Sequence, residues 1–181
     1  MTQLDQVEMQ RLVKLYDLEC YLFGEVSSRF KERQTLTPYD FFAIIVWKSN
    51  RAKTKIKQGL ADCGKTVEGL MWEVSQAETP ECKVEILDEI PGIGLPMASA
   101  ILTVCYPDTF TVLDERAWEV LQRDLAEDLP NHYPQNISEY LQYCDVCRHR
   151  ADQQKLSLRD FDRFLWAKSW EDDLYKLIKG L

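Results

Sequence analysis

At 181 residues the chain can bury a core without help from disulfides. Its six cysteines are scattered, no signal peptide precedes them, and no apolar run is long enough to cross a bilayer. Reduced thiols, a cytoplasmic location and no membrane association are therefore expected. The formal net charge of -8 argues against nucleic-acid binding by overall charge, so any such contact must come from a local concentration of cations.

Helical periods run along the whole sequence, and no alternating segments punctuated by hairpin turns occur, which predicts an all-α class. Leu15, Leu18 and Leu22 fall at i, i+3 and i+7, preceded less regularly by Leu4, Val7 and Leu12, until Gly24 and two serines weaken the pattern. Thr37-Pro38 reads as a helix start, N-cap followed by proline in the first turn, and leads through Phe41, Phe42, Ile45 and Val46 to Trp47-Lys48-Ser49-Asn50. Lys48, Arg51, Lys53, Lys55 and Lys57 then follow with no acid among them, whereas 115–128 and 171–173 are acid-rich. Such a strip is either a basic face on an acidic body or an ordinary solvated helix face.

A short helix is expected from Thr66 to Val74, and Thr79-Pro80 restarts the chain towards Val84, Leu87 and the turn Pro91-Gly92-Ile93-Gly94. A second helix follows at once, with Ala98, Ile101, Leu102 and Cys105 on one stripe and a stop before Pro107. Thr109 to Leu113 reads as extended, and Asp114 opens a helix running to Leu125. Pro130 to Pro134 reads as a loop, and Ser157 with Asp160 as a capping box ahead of Phe161, Phe164, Leu165 and Trp166.

Both glycines of the turn are free to take positive φ, and such a turn leaves backbone N–H groups beside the positive end of the next helix. These donors suit a phosphate without any basic side chain. A plain helix-to-helix turn has the same composition. Asp114 likewise has two uses, as the N-cap of the helix beginning at Glu115 or as a carboxylate for chemistry, and the two are compatible.

The longer string from Leu87 to Leu121, with Asp88-Glu-Ile-Pro-Gly-Ile-Gly-Leu-Pro-Met-Ala-Ser99 followed by Asp114, resembles the helix-hairpin-helix DNA glycosylase superfamily of base-excision repair. The resemblance covers about Thr37 to Leu125. It implies an all-α fold of two helical lobes with a cleft between them, within one compact domain over 1–181. The lobe 37–125 would carry the motif (87–105) and Asp114, with 1–36 and 126–181 forming the second lobe.

By the same resemblance Pro91, Gly92, Ile93, Gly94, Leu95 and Pro96 would bind the DNA backbone. Trp47, Lys48, Ser49, Asn50 and Arg51 would face the lesion, Asn50 at the position of a residue that fills the gap left by a flipped base. Asp114 would stabilise the oxocarbenium-like sugar and orient the attacking water while the N-glycosidic bond breaks. Members that also cut the strand carry a lysine where this chain has Pro96, so base removal without lyase activity is implied. Met97 stands where threonine is common.

The expected partner is double-stranded DNA containing a damaged or mismatched base, and the expected state is a monomer. Some relatives hold a monovalent cation on hairpin carbonyls, here those of Asp88, Ile90 and Ile93. Others hold an iron-sulfur cluster, whose four cysteines this chain lacks, since only Cys144 and Cys147 lie near the C-terminus. His132 and His149 with those two cysteines form either a zinc set of unfamiliar spacing or a helical cysteine pair beside surface histidines. The competing readings are a binding or damage-sensing module without catalysis, and a helical interaction domain in which the hairpin is only a turn.

Overall fold

A computed structural model describes residues 5–124 and 129–179. The described residues are helical with irregular connections, and no strand occurs among them. The order is α1 (Gln6–Leu15), α2 (Leu18–Tyr21), a π-helical turn (Leu22–Val26), α3 (Ser27–Arg33), α4 (Pro38–Ser49), α5 (Lys53–Asp62) and α6 (Val67–Gln76). It continues with α7 (Pro80–Asp88), α8 (Leu95–Cys105), α9 (Glu115–Asp124), α10 (Ile137–Gln153) and α11 (Leu158–Ile178). Leu4, and Leu125 at the expected end of the helix opened by Asp114, lie outside the described residues.

Most helix starts are set by the capping residues visible in the sequence. Thr37, Thr66, Thr79, Asn136 and Ser157 each accept the N–H three residues on, and Pro38 and Pro80 occupy first turns where a missing N–H costs nothing. At Ser157 the capping box is altered, because its hydroxyl donates to the Asp160 carboxylate at 2.7 Å. Gly24 and the serines, where the apolar pattern weakens, do not end the helical run. The chain instead takes a π-turn there and continues into α3, which shifts the helical phase by one residue.

Helix α8 is buried all round, with every residue from Met97 to Cys105 in the core, so its apolar character extends well beyond one stripe. Packed on it are α3, the π-turn, α4 and α7. α11 packs on α9 and α10, and α10 also touches α7. A buried cluster joins the N-terminal elements: Asp40, 3% exposed, accepts from Arg29 and from the Tyr21 hydroxyl, both at 2.7 Å. A charge this deep persists because each partner satisfies it.

Between α8 and α9 the segment 106–114 has no regular structure, so its peptide groups need partners from elsewhere. Side chains supply them. The hydroxyls of Tyr140, Tyr143 and Tyr133 donate to the carbonyls of Thr111, Val112 and Leu113, and Arg148 donates to the Thr109 carbonyl. The Leu113 N–H donates to Ser99 Oγ at 2.9 Å, binding the segment to α8.

Candidate functional site

The fixed segment ends at Asp114, whose carboxylate does two things. Oδ1 accepts the Arg116 N–H at 3.1 Å, which caps α9, and Oδ2 receives Lys48 Nζ at 3.0 Å. Lys48 also donates to the Leu113 carbonyl at 3.2 Å. The capping role and an ion pair therefore coexist, as one oxygen serves the helix and the other receives Lys48.

This pair borders a cavity of about 530 Å³. One wall is the end of α4, with Trp47 beside Lys48, and another is Val112 and Asp114. The rest comes from distant chain: Glu19 of α2, and Arg159, Asp162, Arg163 and Trp166 of α11. These four α11 residues sit at i, i+3, i+4 and i+7, so a single helix face carries them, and Ala167 completes the lining. Trp47 is half-buried. It meets Phe23 of the π-turn edge-on at 5.8 Å, and the Arg159 guanidinium lies over both rings.

Charges around the cavity are matched in pairs. Arg159 contacts Asp162 and donates to Glu19, which also receives Arg163 at 2.7 Å. Burial works against ionising Glu19, but the two guanidinium groups hold its carboxyl below the ordinary range. Burial pushes Asp162 up to about 6, with Arg159 and Lys48 opposing and the Asp114 charge reinforcing the shift. Tyr133 is raised above the ordinary phenol range, first by burial and then by the charges of Asp114 and Glu115.

The expected lesion-facing strip is divided. Trp47 and Lys48 line the cavity, whereas Ser49, Asn50 and Arg51 are not among its lining residues. Asn50 is exposed and accepts from Lys53 at 2.6 Å, and Ser49 accepts the Ala52 N–H. The fifty-first residue, Arg51, is exposed ahead of α5.

At the turn joining α7 and α8, one glycine differs from expectation. Gly92 has φ +100°, the left-handed region that favours glycine, but Gly94 has φ -100° and ψ 176°, an extended N-cap for α8. A Cβ at Gly94 would meet nothing within 4 Å, so neither the backbone angles nor the packing within the chain requires glycine there. Ile93 is buried and its N–H is spent on the Ile90 carbonyl at 2.9 Å, while Pro91 and Pro96 have no N–H to give. The N–H groups of Gly92, Gly94 and Leu95 have no hydrogen-bond partner among the described residues. Pro96 is exposed and Met97 is buried in the core.

The turn rests on α5, the helix with the basic strip. A Cβ at Gly59 would lie 2.0 Å from the Pro91 carbonyl oxygen, and one at Gly92 would lie 3.0 Å from Lys55 Cγ. Lys53, Lys55 and Lys57 are exposed on that helix. Of these cations Lys55, far from the turn in sequence, lies against it.

Glu19, Arg159, Asp162, Arg163 and Trp166 were not among the residues expected at a site. The stripe expected after Ser157 differs too, because Phe164 and Trp166 are 43% and 49% exposed, and the buried face runs through Leu158, Phe161, Asp162 and Leu165. The available signal was the i, i+3, i+4, i+7 recurrence of Arg159, Asp162, Arg163 and Trp166, a polar stripe with an aromatic at its end.

Cys144 and Cys147 are buried on α10, where burial pushes Cys144 up to about 11 and Cys147 well above the ordinary thiol range. His132 and His149 are exposed and face the Tyr133 carbonyl and the Gln153 amide. Among the described residues no three His, Cys, Asp or Glu side chains gather to hold a metal, and no helix is long and apolar enough to cross a membrane. No family model matches the chain, and no curated protein or solved structure matches it either.

Proposed function

We propose that this chain is a DNA-repair glycosylase-like protein with the helix-hairpin-helix glycosylase fold, two helical lobes bordering the cavity. It flips a damaged or mismatched base out of duplex DNA and hydrolyses its N-glycosidic bond. The observation that carries the reading is Asp114 at the wall of a 530 Å³ cavity that Trp47 and Trp166 also line. A cavity of that size suits a nucleobase, the indoles offer stacking faces, and the carboxylate lies where a flipped sugar would develop positive charge. The hairpin N–H groups and Lys55 and Lys57 would hold the phosphates, which answers the acidic overall charge.

Pro96 offers no amine, so the product is an abasic site in an intact strand. If a monovalent cation is held at the turn, the carbonyls of Asp88, Ile90 and Ile93 hold it. The Ile90 oxygen already accepts one N–H and keeps a second lone pair for an ion.

The test is base release from a panel of duplexes, each carrying one damaged or mismatched base. Wild type releases a base, and Asp114→Asn lowers the rate about 10²–10³-fold, the scale of losing one electrostatic partner of the transition state. The strand stays whole until alkali is added. Release unchanged in Asp114→Asn, or nicking without alkali, overturns the reading.

One observation favours a second reading, a binding or damage-sensing module without catalysis. The Lys48 ammonium sits on Asp114 at 3.0 Å and neutralises the charge that hydrolysis needs. Salt-dependent duplex binding with no base released from any lesion selects that reading.

A further inference from the structure

The mechanism above leaves two carboxyls of the cavity idle, Glu19 and Asp162, and Asp162 is the buried one. Asp162 is 4% exposed yet lines the same cavity as Asp114 and Lys48. Groups face it from three directions. Arg159 contacts it from its own helix, Lys48 and Asp114 lie on the cavity side, and Tyr140, Tyr143 and Cys147 face it from α10. The α10 wall thus offers two phenols and a thiol, with no cation among them.

Asp114 and Asp162 differ in burial. Both are ion-paired, Asp114 to Lys48 and Asp162 to Arg159, but the Asp114 side chain is 29% exposed, whereas Asp162 is enclosed and burial pushes its carboxyl up to about 6. An enclosed carboxyl and a partly exposed one lining the same cavity are placed to divide acid from base work. Breaking a C1′–N bond calls for both: negative charge beside the sugar, and a proton for the departing nitrogen whenever the base leaves as an anion.

We propose that Asp162 is a second catalytic carboxyl, the acid that protonates the departing base while Asp114 stabilises the sugar. The inference rests on the reading of the cavity as a base-releasing site. As the C1′–N bond breaks, its electron pair goes to the base, whose ring nitrogen takes the Asp162 proton, so a neutral base departs. Water adds to C1′ and gives its proton to Asp114 or solvent, and Asp162 regains a proton from solvent.

A cationic base such as N7-methylguanine departs neutral without taking a proton, which supplies an internal control. Purified wild type, Asp162→Asn and Asp162→Glu are assayed for release of neutral bases (uracil, hypoxanthine) and of N7-methylguanine from duplex DNA across pH. Asp162→Asn should lower neutral-base release about 10²–10⁴-fold relative to N7-methylguanine release by the same variant. Asp162→Glu should restore part of the loss. Wild-type release of a neutral base should rise as pH falls through about 6, with no such rise for N7-methylguanine.

Equal loss on both kinds of base, or release of N7-methylguanine alone by wild type, overturns the inference and leaves base release standing. No release of any base by wild type removes the underlying reading instead. Should Asp162→Asn fail to fold because Arg159 loses its partner, the wild-type pH profile decides, and a flat one for neutral bases overturns the inference.

Discussion

The turn between α7 and α8 and the cavity beside Asp114 treat charge in opposite ways. At the turn, Lys55 and Lys57 are exposed on α5, and among the described residues no ion pair reaches either of them. The N–H groups of Gly92, Gly94 and Leu95 are equally unspent. In the cavity, Lys48, Arg159 and Arg163 are each paired with a carboxylate of the protein. One region keeps positive charge available for a partner, and the other has matched its charges internally. The first suits a polyanion, and the second suits a planar group of low net charge held by stacking.

If that division is real, the two regions should be separable by substitution. The largest effect is expected at Asp114. Asp114→Asn should lower base release about 10²–10³-fold while leaving duplex affinity unchanged, measured by fluorescence anisotropy. A parallel loss of affinity would show that the cavity carboxylate also orders the DNA-binding surface.

The next effect is on stability. Asp162 has an ordinary value of 3.8 that folding raises to about 6. Between these values the folded chain binds the extra proton, so this group's contribution falls as pH rises from about 4 to about 6, by on the order of 2–3 kcal/mol. Urea midpoints at the two ends of that window should show the fall in wild type relative to Asp162→Asn. Glu19 and Asp40, whose carboxyls folding lowers, act in the opposite direction, so the difference between the two proteins is the quantity to read.

A third test strikes the support of the turn. Gly59→Ala places a methyl against the Pro91 backbone, which has no flexible end to move aside. A loss of about 1–3 kcal/mol is expected from this overpacking, read by thermal melting, together with weaker duplex binding. If affinity is untouched, the turn does not contact DNA.

The smallest effect is expected from Lys55→Gln and Lys57→Gln. Each should weaken binding a few-fold regardless of sequence and reduce the slope of log K against log salt by about 1. Base release at saturating DNA should not change.

How much of this was legible depends on how local each feature is. Caps at Thr37, Thr79 and Ser157 involve neighbours in sequence, and the helix starts that they set are found where expected. The turn and Asp114 lie in one continuous string, and the carboxylate's capping role could be read from its position alone. Lys48 was legible as a charge, but its ion pair with Asp114 spans two helices that only packing brings together. Glu19 and Asp162 were harder still. Glu19 lies on α2 and Asp162 on α11, only packing brings the two to one cavity, and no residue near them in sequence signals a ligand. The left-handed Gly92 and the extended Gly94 were indistinguishable by composition, because glycine permits both.

The segment 109–113 leads to a final consequence. Its carbonyls at Thr109, Thr111, Val112 and Leu113 are held by Arg148, Tyr140, Tyr143 and Tyr133, side chains of α10 and the loop before it, and its last amide by Ser99 of α8. Asp114 is therefore mounted on a preorganised strap, and its carboxylate need not reorient as charge develops next to it. In water most of the electrostatic gain is lost to reorganising solvent dipoles, and here that work is already done by folding. On the proposed function the moving part would be the nucleotide, travelling to a stationary carboxylate.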